Sequence, residues 1–160
     1  MNENKATPHK YPEGIFTAVS IGFFFLLVGA IFLITPNLFD KTMNFFNDLS
    51  LVDVPHTNIK FPGPESPGLH LALYETAEQF SIAMTFFQVF MLGLRLAIPS
   101  SWGKRSETVG NLVYWAGVSF LLSSFPLVNL QQWFAFWSTI IMLIGISMIA
   151  RATVIAVSRI

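Results

Sequence analysis

"LALYETAEQFSIAMTFFQVFMLGLRLAIP" (Leu71–Pro99) is the most informative segment of this chain, because it is both long and apolar. About 20 helical residues are enough to cross the roughly 30 Å hydrocarbon core of a bilayer. The stretch nevertheless carries five side chains that lipid penalises, namely Glu75, Glu78, Gln79, Gln88 and Arg95. Polar side chains within a span face a bundle interior or a water-filled cavity. The stretch therefore predicts a membrane-spanning helix with one edge turned away from lipid.

Steps of four and three residues trace a single polar stripe along this helix. The stripe consists of Tyr74, Glu78, Ser81, Thr85, Gln88, Leu92 and Arg95. Glu78 and Arg95 are about 25 Å apart at 1.5 Å per residue, so we expect them to reach water or headgroups at opposite membrane surfaces. The deep positions would then be Ser81, Thr85 and Gln88. Secondary candidates are Glu75, Gln79 and, further along the chain, Asn111.

The polar stripe can be interpreted in three ways. The first, which we favour, is hydrogen bonding and packing between neighbouring helices. The second is a water- or ion-conducting path lined by the stripe. The third is a proton-coupled or enzymatic role for Glu75 and Glu78.

Composition supports a membrane protein throughout the chain. Of its 160 residues, 53% are hydrophobic and only 11% are charged, about half the charged fraction of an ordinary soluble domain. Seventeen Phe would be hard to bury in a soluble core of this size, whereas lipid solvates them directly. The formal net charge is zero and there is no basic patch, which argues against nucleic acid as a partner.

Four spans are predicted within a single integral membrane domain covering residues 1–160: about 15–35, 70–98, 109–125 and 132–151. The first has no small-residue cleavage site behind it, so we expect a retained span rather than a signal peptide. Its Ala18, Gly22 and Gly29 form a small-residue edge that would let another helix approach closely. Ser66 and Ser106 are the expected N-caps of the second and third spans.

The loop between the first two spans, residues 36–68, is expected to lie outside the membrane in two parts. In its first half, apolar side chains recur at helical spacing, which predicts a short amphipathic helix on the outer membrane surface. These side chains are Leu38, Phe39, Met43, Phe46 and Leu49. The second half holds four prolines and is expected to have no regular structure.

The distribution of Lys and Arg predicts the orientation. With four crossings, Lys41 and Lys60 fall on one side. The other seven basic residues fall on the opposite side; they are Lys5, Lys10, Arg95, Lys104, Arg105, Arg151 and Arg159. Both termini are therefore predicted to be cytoplasmic, in a cell membrane. Trp133 and Trp137 would lie at the outer boundary.

One span, a long outer loop and three closely joined spans resemble the claudin-like tetraspan layout in topology, although the paired loop cysteines of claudins are absent. The run from "YETAEQF" through "LRLAIPSSWGKRSETVGNLVYWAG" (Tyr74–Gly117) is similar to uncharacterised small four-helix membrane proteins of archaea. That resemblance implies an all-α, four-helix membrane fold and no activity.

Familiar catalytic and cofactor chemistries find no support in the sequence. There is no Cys, no P-loop, and no His deep in a span, so no cofactor or metal is expected. We therefore expect a non-enzymatic membrane component whose partners are the lipid bilayer and either further copies of itself or other membrane subunits. The alternative is a small oligomeric channel or transporter with a polar path along the second span.

Overall fold

The computed structural model describes residues 10–158, so Lys5 and Arg159, which enter the orientation prediction, lie outside the described residues. Five α-helices and one two-stranded sheet form the described part of the chain. The helices are α1 (Lys10–Ile34), α2 (Leu38–Asn47), α3 (Leu71–Ala97), α4 (Trp102–Ser124) and α5 (Leu130–Val157); the strands are β1 (Leu49–Asp53) and β2 (Lys60–Pro64). A single 3-10 turn, Pro67–His70, leads into α3 after Ser66.

Within the described residues, three helical segments are long and apolar enough to cross a membrane: Glu13–Ile34, Pro67–Ala97 and Leu130–Val157. The chain is thus mostly helical, as predicted. The expected third span, 109–125, falls within α4, which is not among these three segments. Its first two turns carry charged residues, which lower its mean hydropathy.

Helix α4 starts about one and a half turns earlier than its predicted N-cap indicates. The helix begins at Trp102 and its N-cap is Ser101, whose hydroxyl accepts a hydrogen bond from Lys104 N–H at 3.4 Å. Ser106, the expected N-cap, lies inside the helix, where it is fully buried and donates to the Gly103 carbonyl. The chain resumes helical structure as soon as Pro99 has been passed, so only a short connection separates α3 from α4.

The central packing is that of α4 against α3 on one side and against α5 on the other. Two glycines on α4 allow the close approach of α5. A Cβ added at Gly117 would lie 2.3 Å from Leu143 Cδ1, and one at Gly110 would lie 3.2 Å from the Ser147 carbonyl oxygen. Small residues at helix contacts are the usual means of close packing in membranes. The apolar core lies beside this contact and includes Val118 and Phe136.

Helix α1 packs chiefly against α3. Its middle is held by Phe23, whose ring stacks on Phe87 of α3 with centroids 4.0 Å apart. The small-residue edge of α1 is not used in this contact, since added Cβ atoms at Gly22 and Gly29 would meet nothing within 4 Å. Within the described residues, no other helix approaches closely at either glycine.

The loop after α1 contains the predicted amphipathic helix, α2, but its second half is more regular than expected. Strands β1 and β2 pair antiparallel, with Pro62 and Pro64 inside β2. The bond from Glu65 N–H to the Asp48 carbonyl, 2.9 Å long, fixes the register so that both prolines occupy non-hydrogen-bonded positions. Because their missing N–H groups are not needed there, the hairpin tolerates them.

Candidate functional site

The polar stripe of α3 lies against the other helices over much of its length. Ser81 is completely buried, and Gln88 and Arg95 are less than 10% exposed. Tyr74 and Thr85 are half-buried. The stripe therefore faces mostly protein in this chain.

The polar groups in the middle of the stripe form their hydrogen bonds mainly within α3 itself. Ser81 donates to the Glu78 carbonyl at 2.8 Å, and Thr85 donates to the Ser81 carbonyl at the same distance. Both hydroxyls thus bond to their own helix and present methylene or methyl groups to their neighbours. Gln88 makes no side-chain hydrogen bond to any part of the chain that the structure describes.

Glu78 contacts α4 directly. Ser123 donates a hydrogen bond to Glu78 Oε1 at 2.5 Å, and the same hydroxyl lies 2.9 Å from the Ser119 carbonyl. A carboxylate is the stronger acceptor, so the contact links the two helices near their α2 end. Glu78 is half-buried and Ser123 is exposed at this contact.

Arg95 occupies a different position from the one we expected. Its Nη1 lies 3.1 Å from Glu13 Oε2 of α1 and 3.3 Å from Ser100 Oγ. Ser100 also donates to Glu13 Oε1 at 2.7 Å, and the guanidinium carbon lies 5.0 Å from the centre of the Phe16 ring. The arginine is therefore buried in an ion pair instead of reaching toward lipid headgroups, because α1 supplies a partner that sequence spacing along α3 does not reveal.

The three secondary candidates do not join the stripe. Glu75, Gln79 and Asn111 are all exposed. A role shared between Glu75 and Glu78 therefore finds no geometric support.

A second cluster of charged side chains joins α4 to α5, at the end of the bundle that carries Arg95. Glu107 accepts from Lys104 Nζ at 2.8 Å and from Arg151 at 3.2 Å. The Lys104 hydrogen bond and the nearby positive charges, partly offset by burial, hold the pKa of the Glu107 carboxyl below its usual value. The sequence does show Glu107 three residues after Lys104, a helical pairing distance, but Arg151 becomes a partner only through the fold.

At the opposite end of the bundle, Asp48 fastens the loop to α3. Its Oδ2 lies 2.9 Å from His70 Nε2 and accepts from Ser66 N–H at 3.0 Å. Burial tends to raise the pKa of the Asp48 carboxyl, but the His70 hydrogen bond, the Ser66 N–H and the His70 charge together lower it. Spacing along the sequence does not reveal this pairing, because Asp48 and His70 are 22 positions apart in the chain.

Metal ligands and nucleophiles are sparse in this arrangement. Within residues 10–158 no three His, Asp or Glu side chains come together as a metal site would require. The clustered polar groups instead form pairs between different segments of the chain: Glu78 with Ser123, Glu13 with Arg95, and Asp48 with His70. Such pairs position helices relative to one another.

Comparison with known proteins finds no matching family model, no matching curated protein and no matching solved structure. The fold therefore defines only a class: a small, mostly helical protein in which three helices within residues 10–158 are long and apolar enough to cross a membrane.

Proposed function

We propose that this chain is a four-span integral membrane protein that acts as a non-enzymatic component, either by self-association or as an accessory subunit of a membrane complex. The observation that carries the proposal is the complete burial of Ser81 at the centre of the α3 stripe. A path for water or ions would need this position to be wet. A stripe buried against neighbouring helices is instead a structural seam.

The short connections around α4 support the proposed fourth crossing. Residues 98–101 join α3 to α4, and residues 125–129 join α4 to α5. If α3 and α5 both cross the bilayer, connections of this length require α4 to return through it. Its charged first turns would lie at the surface, where Glu107 pairs with both Lys104 and Arg151.

The orientation proposed is cytoplasmic for both termini, in a cell membrane. Most Lys and Arg residues belong to the end of the bundle that carries Arg95 and Lys104, which supports this assignment. On the opposite surface, Phe39, Met43 and Phe46 of α2 are exposed, as suits a helix resting on lipid. Cysteines introduced at Asn58 and Lys104 test the assignment: an impermeant maleimide applied to intact cells should label N58C and spare K104C.

Self-association is supported by the small-residue edge of α1. A Cβ added at Gly22 or Gly29 would meet nothing within 4 Å among the described residues, and the surrounding side chains are apolar and exposed. Another helix, from a second copy or from a different subunit, would find room for close backbone approach there.

A bulky substitution tests this contact. Gly22→Ile should weaken association measured by chemical cross-linking in native membranes. Gly93→Ile is the matched control, because Gly93 lies on α3 and is equally free of neighbours. Equal association of both variants and the unmodified chain would contradict a contact through α1.

The alternative, a small oligomeric channel or transporter with a path along α3, is favoured by one observation. The buried Gln88 amide lacks a side-chain hydrogen bond within the described residues, as it would if water were its partner. Gln88→Leu and Thr85→Val separate the two functions. If the stripe is a seam, ion flux in reconstituted vesicles is the same for both variants as for the unmodified chain; abolished flux with an intact fold would establish conduction.

A further inference from the structure

A cavity of about 550 Å³ lies at the α2 end of the bundle, where α1, α2, α3, α4 and α5 all contribute to its lining. The lining is almost wholly apolar and includes three of the chain's four tryptophans, Trp115, Trp133 and Trp137. Binding sites for small molecules typically have this size and this predominance of apolar and aromatic surface. Of the α3 stripe, Tyr74 is the one member that lines the cavity.

The cavity is bordered by exposed side chains between α1 and α5. Phe32 of α1 is 55% exposed and Trp137 of α5 is 46% exposed, and both belong to its lining. Helix α1 packs chiefly against α3, so it does not close this side of the bundle. In a bilayer the opening would face the hydrocarbon chains of the surrounding lipid.

Helix α2 covers the cavity on its extramembrane side. Leu38, Thr42 and Phe45 of α2 line it, while the outer face of the same helix is exposed. The Phe45 ring lies 5.8 Å from that of Trp133, which is itself buried. Asp48, paired with His70, holds the end of α2 in this position.

The single polar feature without a partner at this site is the Tyr74 hydroxyl. It is buried and makes no hydrogen bond within the described part of the chain. A buried donor left unpaired is costly, so a ligand that offers an acceptor oxygen would be favoured. Water is a poor occupant, because it needs two to four polar partners and the lining supplies few.

We infer that this cavity binds one hydrocarbon chain of a membrane lipid, with the Tyr74 hydroxyl donating to an ester, ether or acid oxygen at the polar end of that chain. The apolar walls exclude a charged solute, and the lateral opening admits a chain directly from the bilayer. The inference requires the helices to lie in a membrane. It is independent of whether the protein self-associates.

Three of the four tryptophans line the cavity, so their fluorescence reports its occupancy. In a Trp102→Phe background, the full chain in detergent is titrated with mid-chain dibrominated stearic acid, whose bromines quench nearby indole rings. The expected result is saturable quenching at about one probe per chain. Quenching that rises without saturation would overturn the site, because it would show partitioning into the micelle.

Filling the cavity supplies the specific control. Ala77→Phe, from the α3 wall, and Thr42→Phe, from α2, should each abolish the saturable component. The matched changes Ala135→Phe and Met43→Phe, at exposed positions outside the lining, should leave it unchanged. Two independent filling variants guard against loss of fold in one of them, and saturable quenching that survives in a folded filling variant would refute the assignment.

The polar contact has its own test in Tyr74→Phe. Losing one neutral hydrogen bond should weaken probe binding by about two- to tenfold without changing the stoichiometry. Unchanged affinity would overturn the role given to the hydroxyl.

Discussion

Ser123 of α4 donates a hydrogen bond to Glu78 of α3 across 2.5 Å, and this contact joins the two helices. Hydrogen bonds between helices in membranes contribute on average about 0.6 kcal/mol and reach roughly 1.7 kcal/mol. Ser123→Ala and Glu78→Gln should each destabilise the fold by an amount in this range. In a double-mutant cycle followed by unfolding in sodium dodecyl sulfate, the two changes should be coupled. Strict additivity would show that the contact contributes nothing.

Gly117 permits the close approach of α5 to α4, and its replacement has a predictable cost. Gly117→Ala places a methyl group against the Leu143 side chain, which is buried and has little room to move. We expect a loss of about 1–3 kcal/mol in the free energy of unfolding, as is typical of overpacking.

Two further variants make the Gly117 prediction specific. Leu143→Ala creates a cavity by itself, but combined with Gly117→Ala it should recover part of the loss. Gly145→Ala on α5 is the matched control, since an added Cβ there meets nothing within 4 Å. Equal effects of Gly117→Ala and Gly145→Ala would be inconsistent with a close contact at Gly117.

The ion pair between Arg95 and Glu13 fixes the start of α1 against the end of α3. The Arg95 side chain is 10% exposed and that of Glu13 is 27% exposed. Glu13→Leu leaves a buried guanidinium without its carboxylate, so we expect a loss of about 2 kcal/mol or more in unfolding free energy. Replacing both residues with Leu should restore much of it.

The exposed ion pair between Lys104 and Glu107 is the comparison for the buried ion pair between Arg95 and Glu13. Both side chains are more than a third exposed, so Lys104→Ala should cost no more than about 1 kcal/mol. The same denaturant titration measures both changes. A smaller effect for Glu13→Leu than for Lys104→Ala would contradict the structural role of the buried pair.

Protonation of the Asp48 carboxylate in acid should release α2 from the bundle. The folded-state pKa of Asp48 is below its ordinary value of 3.8, so its contribution to stability is complete above that pH. The contribution is lost as the pH falls through the lowered, folded-state pKa. Spin labels at Met43→Cys and Gln79→Cys should therefore give a narrow distance distribution at neutral pH and a broad one in this acidic range.

Asp48→Asn reproduces the acid state without acid. It should broaden the same distribution at neutral pH, whereas Asp40→Asn, on the exposed side of α2, should not. If the distribution stays narrow in both acid and Asp48→Asn, the link between Asp48 and His70 does not hold α2.

The spacing of apolar and polar side chains was sufficient to predict α2 and the helical character of residues 71–97. Both predictions depend only on residues that are close together in the sequence. The β1–β2 hairpin was not predicted, because proline is normally unfavourable within a β-strand. Pro62 and Pro64 are tolerated only in a register that long-range pairing sets. The start of α4 was missed because Ser101 and Ser106 are equivalent as local N-cap signals.

The residues that pair with the stripe could not be predicted from residue spacing along α3. Arg95 was expected at the headgroups, since nothing in its own helix pairs with it, and Glu13 lies 82 positions away in the chain. Gly110 and Gly117 share one face of α4, which is a readable signal for close packing. The apolar cavity required knowledge of how five helices converge.

Accessibility of the α3 stripe tests the central claim most directly. The native chain has no cysteine, so Ser81→Cys, Thr85→Cys and Gln88→Cys each give a single label site. Native membrane vesicles, opened so that both faces are exposed, are treated with a small water-soluble maleimide, with Lys60→Cys as the positive control. A dry seam between helices predicts labelling at Lys60→Cys and protection at all three stripe positions. Labelling at all three stripe positions, in protein that remains folded, would contradict it.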